Sequence, residues 1–268
     1  MNTARLVERA ELLPDAVRTV ERYEEQYGSR FHQLVHFDRQ VLKDLHAPGA
    51  LPDTVRIASD TRLDVVERMA TVTSVANLPE QRHADRDRYL RALLDIYAML
   101  PVQAADAASV PGATVLAPER EGRILAELLG VMPDGRCWAP QAKRMPVDGG
   151  LLVGVDEQLP AAADRLVIVD GVVASGVTLM AMMRLAAVPG AVVDVFTCHA
   201  TEEGALALAR CAQALGLSLT LHVGHVSGML NDKYYSVDPG APATLLLGDI
   251  GDTISPVAQD IPTQGALA

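Results

Sequence analysis

From residue 113 onward the chain repeats one pattern, a short aliphatic run followed by a segment of helical period. ATVLAP (113–118), LVIVD (166–170) and AVVDVFTCHA (191–200) are the clearest runs, with LLVGV (151–155) and the alternating SLTLHV (218–223) beside them. Between the runs, Ile124, Leu125, Leu128 and Leu129 share a helical stripe, as do Leu179, Met182, Met183 and Ala186. Leu208, Cys211, Ala212 and Leu215 form a third stripe over 203–215. Runs apolar on both faces are strands buried between helical layers. Strand–helix–strand units of this length cross over with a right hand and build a parallel sheet. The pattern therefore predicts an α/β fold, an open parallel sheet flanked by helices and closed by ATLLLGDIGD (243–252). With 49% hydrophobic but only 4% aromatic residues, Val, Leu and Ala must fill its core.

The N-terminal part reads differently. Residues 1–50 are polar and helical in pattern, with Leu13, Val17 and Val20 on one face and Pro14 in a first turn. HAPGALPD (46–53) is a connector, and Leu90, Leu93, Leu94 and Tyr97 mark an amphipathic helix over 84–100. The expected organisation is a helical N-terminal arm with lead-in helices over 1–105, then the α/β core over 106–268. The tail from 254 is expected to be poorly ordered.

A net charge of −11 argues against nucleic acid, whose phosphates need clustered Lys and Arg. Cys137, Cys198 and Cys211 are widely spaced without a CxxC, which fits neither a disulfide framework nor a zinc site and favours a reducing compartment. MNTARLVERAELLPD is charged throughout, unlike a signal peptide, and no apolar run reaches the ~20 residues of a membrane span. A soluble, cytoplasmic protein without a membrane partner is expected.

The stretch RLVIVDGVVASGVTLM (165–180) carries the chemistry. A buried strand that ends on Asp170 hands over to the small residues Gly171, Ala174, Ser175 and Gly176, and then to a helix. Ligands of open parallel sheets bind beyond the carboxyl ends of the strands. A helix start there offers unpaired N–H groups and a partial positive charge, and small residues let the backbone approach an anion. The same residues also suit a plain strand–turn–helix joint in which Asp170 caps the helix. GVVASG lacks the GxGxxG spacing, no lysine follows as a P-loop requires, and VASGV is not GxSxG.

VIVDGVVASGVT resembles the loop that binds 5-phosphoribosyl 1-diphosphate (PRPP) in type I phosphoribosyltransferases. Within that family the chain is most similar to uracil phosphoribosyltransferases, whose loop also lacks the second acidic residue. Further likenesses follow in order: LAPEREG (116–122) to a strand ending in Leu-Arg-Ala-Gly, QLP (158–160) to Lys-Leu-Pro, MLNDKYYSV (229–237) to Leu-Asn-Glu-x-Gly-Tyr-Ile-Val, and GDIGDT (248–253) to Gly-Asp-Ala-Gly-Asp-Arg. The resemblance covers about 113–253, a little over half the chain.

The resemblance implies transfer of 5-phosphoribosyl from PRPP to a base nitrogen, uracil or a related heterocycle, with release of pyrophosphate. It gives Asp170 the ribose hydroxyls, and the segment Ala174, Ser175, Gly176, Val177 and Thr178 the 5′-phosphate. Arg120 takes the departing pyrophosphate, Asp249 and Asp252 face magnesium-bound pyrophosphate through water, and Tyr235, Val237, Gly248 and Asp249 line the base pocket. It implies Mg2+ as cofactor and a homodimer as assembly. Arg120 also reads as a surface arginine, Asp249 and Asp252 as turn formers, and Lys143 and Arg144 as either a flap over the leaving group or a solvated charge pair. The seven histidines read as incidental. SVDPGAPATLLL (236–247) lengthens the segment that recognises the base in the family, Val177 stands at a glycine of the loop, Glu121 at an alanine and Thr253 at an arginine. A PRPP-binding regulator without catalysis, and an α/β nucleotide-binding protein of other chemistry, are the alternatives.

Overall fold

The computed structural model describes residues 4–57, 107–119, 121–128, 137–160, 162–226, 229–231, 236–238 and 241–245. Its centre is a six-stranded sheet in the order β3 (Val55–Ile57), β10 (Ser218–Val226), β9 (Ala187–Ala200), β8 (Ala163–Val173), β4 (Thr114–Leu116), β5 (Cys137–Trp138). Every pairing in it is parallel. Helix α3 (Glu121–Leu128) follows β4 and packs on β8, while α4 (Val177–Ala186) joins β8 to β9 and α5 (Glu202–Ala214) joins β9 to β10. Leu166, Ile168, Val193, Val195, Leu219 and Leu221 pack with Leu179, Met180, Met183, Leu208 and Cys211 in one core. Val167 and Val169, which alternate with them along β8, are also fully buried. Burial on both faces is why this strand reads as a continuous apolar run. The predicted parallel sheet flanked by helices is the fold observed.

A second, antiparallel sheet has the order β1 (Arg5–Leu6), β2 (Gln33–Asp38), β7 (Gly150–Val155), β6 (Ala142–Val147). Helix α1 (Pro14–Tyr27) packs on β6, and α2 (Arg39–Leu45) lies between this sheet and α5. Alternate residues face two cores: Val35, Phe37, Leu151 and Val153 join the main one, while Leu34, Leu152 and Met145 pack with Val7, Val20 and Phe31. A small third sheet holds β11 (Met229–Leu230), β12 (Ser236–Asp238) and β13 (Ala241–Leu245).

The helix with Pro14 at its start is as predicted, and it ends where Gly28 takes φ +64°, a left-handed C-cap. Three expectations are corrected. Residues 33–38 are a strand, whose burial on both faces hides the period of two. LLVGV belongs to the antiparallel sheet, where Asp148–Gly149 closes a two-residue hairpin with Gly149 at φ +79°. Residues 241–245 close the small third sheet instead of the parallel core. The helix expected over 84–100 and the tail from 254 lie outside the described residues. Among the described residues no helix is long and apolar enough to cross a membrane. Cys137, Cys198 and Cys211 are in no disulfide, and burial pushes the Cys211 thiol up to about 12.

Candidate phosphate-binding site

Strand β8 does not stop at Asp170, as the sequence reading had it. Its pairing with β9 continues through Asp170↔Thr197 and Val172↔His199 to Val173↔Ala200. Asp170 is therefore held by the sheet itself, half-buried, with Oδ1 accepting the N–H of Gly171 at 2.9 Å. The Thr197 hydroxyl donates to the Gly171 carbonyl at 3.1 Å and fixes that peptide from the next strand. Asp170 is not the N-cap of α4, for that position belongs to Gly176.

Ala174 to Gly176 make the turn. Gly176 takes φ +68°, and a Cβ there would lie 2.9 Å from Leu208 Cγ and 3.2 Å from the Gly204 carbonyl. Both the backbone and the space exclude any other residue. A Cβ at Gly204 would meet the Ala174 carbonyl at 2.0 Å, so the starts of α4 and α5 touch backbone to backbone. Thr201, the N-cap of α5, accepts the Gly204 N–H at 2.9 Å and donates its hydroxyl to the Ala174 carbonyl at 2.6 Å. The Ser175 carbonyl in turn lies 2.8 Å from Nε2 of His46.

A planar trans peptide sets its N–H opposite its C=O. With the Ala174 and Ser175 carbonyls drawn back toward Thr201 and His46, the N–H groups of Ser175 and Gly176 face the other way. They meet no acceptor among the described residues. Buried N–H groups without a partner are rare, and such a pair at a helix start is suited to receive an anion. The first internal bond of α4 runs from the Met180 N–H to the Gly176 carbonyl.

The residues predicted to bind an anion lie on this turn and in the first turn of α4. Ser175 is 2% exposed, and its hydroxyl already meets the Val177 N–H at 3.4 Å and Arg144 Nη1 at 3.3 Å. Val177 sends its side chain into the core, so only its backbone is available to a ligand. Its helical backbone needs no glycine, which removes the objection raised by that departure. Thr178 is half-buried in the first turn of α4.

Lys143 and Arg144 are strand residues of β6, not a flap or a solvated pair. Successive side chains on a strand point to opposite faces. Lys143 Nζ lies 3.9 Å from the centre of the Tyr27 ring, and Arg144 reaches the Ser175 hydroxyl instead. Arg144 thus brings a cation to the Ser175 hydroxyl.

Arg120 lies outside the described residues. A Cβ at Gly122 would sit 2.4 Å from the Val169 carbonyl, so the start of α3 rests on β8 one residue before Asp170. Glu119 pairs with Arg123 at 3.1 Å on the exposed side. Burial first, then the charges of Asp156 and Glu119, raise Glu157 above the usual carboxylate range. Val237 sits in β12, in register with Met229 and Leu245. Tyr235, Gly248, Asp249 and Asp252 lie outside the described residues.

Sequence reasoning missed His46 and Thr201, and named Arg144 without its contact to Ser175. Thr-Glu-Glu-Gly at 201–204 is a readable N-cap followed by acidic residues. Nothing local in the sequence ties His46 to a residue 129 positions away.

No family model and no curated protein matches the chain. Among solved structures it is similar to the AQ2163 protein of Aquifex aeolicus, with TM-score 0.48 and 18% identity over 76% of this chain and 98% of that one. It is similar to the APRTase of Giardia lamblia complexed with 9-deazaadenine, with TM-score 0.36 and 18% identity over 54% of this chain and 84% of that one. A purine phosphoribosyltransferase of Pyrococcus horikoshii gives TM-score 0.30 and 15% identity over 63% and 85% of the two chains. All three likenesses are distant.

Proposed function

We propose that this chain is a phosphoribosyltransferase that moves 5-phosphoribosyl from PRPP to a nitrogen of a heterocyclic base, uracil or a relative of it. The observation that carries the reading is the turn after Asp170. Two carbonyls are pinned behind it, two N–H groups are turned forward, and all of this lies within VIVDGVVASGVT.

In the proposed reaction the bond from the sugar's anomeric carbon to the diphosphate oxygen breaks and a bond to the base nitrogen forms. The base gives up its N–H proton and pyrophosphate leaves. Positive charge develops on the ribose ring, so catalysis is positioning plus charge stabilisation. Asp170, held by β9 at the sheet's carboxyl end, would take the ribose hydroxyls. The N–H groups of Ser175 and Gly176 would hold the 5′-phosphate, with Arg144 and Thr178 beside them. Arg120 would meet the pyrophosphate as a bidentate donor.

Magnesium fits this site as a companion of the diphosphate, the usual way this ion is held. No group of three or more acidic, His or Cys side chains gathers to cage a metal among the described residues. The carboxylates of Asp156 and Glu119 act on Glu157, and negative charge of this kind near a diphosphate would favour a cation bound with it. Asp249 and Asp252 would approach it through water, and its contribution is to neutralise the leaving group. A homodimer is proposed as the working assembly, to be checked by light scattering.

The test is pyrophosphate release from PRPP and magnesium, first with uracil and then with a panel of pyrimidines, purines and azoles. Release with uracil alone establishes the uracil type. Release only with another base locates the selectivity in the lengthened segment 236–247. Silence across the panel, with PRPP binding by calorimetry, replaces the enzyme by a PRPP-binding regulator. Absence of both turnover and PRPP binding overturns the reading.

A further inference from the structure

Helix α5 reaches the turn at 174–176 by two routes. The direct one is Thr201 at its N-cap, whose hydroxyl donates to the Ala174 carbonyl at 2.6 Å. The other runs through Arg210, farther along the helix, and the end of α2. Nη1 of Arg210 donates to the carbonyls of Leu45 at 2.8 Å and Ala47 at 2.5 Å, which stand on either side of His46. Nε2 of His46 in turn lies 2.8 Å from the Ser175 carbonyl. We infer that Arg210 is a positioning residue for the phosphate-binding turn. By fixing the backbone on both sides of His46 it holds the Ser175 carbonyl in place, and with it the Gly176 N–H.

Capping α2 does not by itself account for this arginine. The last carbonyls of a helix lack partners within it, and water or a local turn ordinarily satisfies them. What Arg210 adds is rigidity, because a guanidinium is planar, permanently charged and carries its donors in a fixed fork. Its contacts among the described residues are all to carbonyl oxygens of residues 44–48, the longer ones being Asp44 at 3.4 Å and Pro48 at 3.5 Å. The chain then passes the guanidinium at Gly49, where a Cβ would lie 2.7 Å from Nη2. The backbone N–H of His46 is tied back to the Leu42 carbonyl at 3.1 Å. The residue that bears the ring is thus held by its own helix on one side and by α5 on the other.

What this control reaches follows from the peptide plane. A carbonyl held behind the turn sets the N–H of the same peptide in front of it. Thr201 does this for the Ser175 N–H, and Arg210, through His46, for the Gly176 N–H. One helix therefore aims both donors. An anion binds more tightly to donors already in place than to donors that must be ordered as it arrives.

This inference takes only the ligand's identity from the proposed function, so its first test uses none. Arg210→Met keeps the stem of the side chain and removes its donors. In 1H–15N NMR of the ligand-free protein we expect that variant to shift the amide signals of Ser175 and Gly176 as well as those of residues 44–49. Shifts confined to α5 and 44–49 make Arg210 a plain helix cap and overturn the inference. Should Arg210→Met fail to fold, Arg210→Lys, which keeps the charge but loses the planar fork, reads the same signals. Calorimetry with PRPP then measures the consequence. Arg210→Met is expected to bind about tenfold more weakly, with Arg210→Lys between it and the wild type. KM for PRPP should rise with kcat within about twofold of wild type, the split of a residue that aims a binding group. His46→Ala should weaken binding by a similar factor, and the double variant no further. Wild-type affinity in Arg210→Met, or factors that multiply in the double variant, overturn the route through His46. A wild-type protein that binds no PRPP sinks the proposed function, while the amide shifts still decide the role of Arg210.

Discussion

At the middle of the parallel sheet, Asp194 of β9 accepts from Arg165 of β8 at 2.8 Å and lies 3.4 Å from His222 of β10. The His222 ring stacks on Phe196, with centroids 4.4 Å apart and planes within 5°. At the carboxyl end of the same strands, Asp170, the turn at 174–176 and Arg144 are assembled on the opposite plan. In the first place the charges answer one another, buried under apolar neighbours. In the second, the Ala174 and Ser175 carbonyls are held by Thr201 and His46. Burial alone therefore does not mark a functional charge. What distinguishes the two is the backbone: at the turn, the N–H groups of Ser175 and Gly176 meet no acceptor among the described residues.

The comparison can be broken by two substitutions that should fail in opposite ways. Asp170→Asn is expected to lower kcat for pyrophosphate release about a thousandfold, a barrier change of about 4 kcal/mol, with the melting temperature unchanged. Turnover at the wild-type rate in that variant would remove Asp170 from the mechanism. Asp194→Ala strands Arg165 and His222 inside the sheet. It should cost about 2 kcal/mol of stability and lower the melting temperature by about 6 °C, with the affinity of the folded protein for PRPP intact. A loss of PRPP affinity without a loss of stability would mean that the closed cluster serves the site.

How much of this was legible depended on whether a feature is local. The apolar runs gave the parallel sheet because burial on both faces leaves a continuous signature, and the segment from Asp170 to Thr178 was readable as a strand, turn and helix start because its parts are consecutive. Gly28, Asp148–Gly149 and Thr201 were readable too, as a helix stop, a hairpin and a cap. Residues 33–38 were lost for the reason β8 was found: Leu34 and Val35 are buried on opposite faces, and a short two-sided run without flanking turn signals has no period. His222 alternates with Leu221 and Val223, which places it on the other face of β10 but not in contact with Asp194. His46 was beyond reach, since its partner is brought to it only by the packing of α2 on α5.

A gentler way to sharpen the comparison is Thr201→Ala, which removes both the cap on Gly204 and the donor to the Ala174 carbonyl. About 1.5 kcal/mol of stability is expected to go. KM for PRPP should rise severalfold with kcat little changed, because the Ser175 N–H is then less firmly aimed. A KM as in wild type would mean that the turn holds its shape without Thr201.

The smallest effect expected lies far from the turn, in the layer that carries α1. Glu24 accepts from Arg9 Nη2 at 2.5 Å and from the Phe31 N–H at 2.7 Å. Burial pushes its carboxyl upward, but Arg9 and that N–H outweigh it, and the net position is below the ordinary carboxylate range. A carboxyl depressed in the folded state stabilises it fully above the ordinary value of about 4.5, and that contribution fades as pH falls through the lower folded value. Melting curves of the wild type and Glu24→Gln should differ by a few degrees at neutral pH and converge in acid. Here too the charge is answered from within, so PRPP affinity at neutral pH should be the same in both proteins. A gap that persists undiminished in acid would assign the difference to packing around Phe31 instead of to the ion pair.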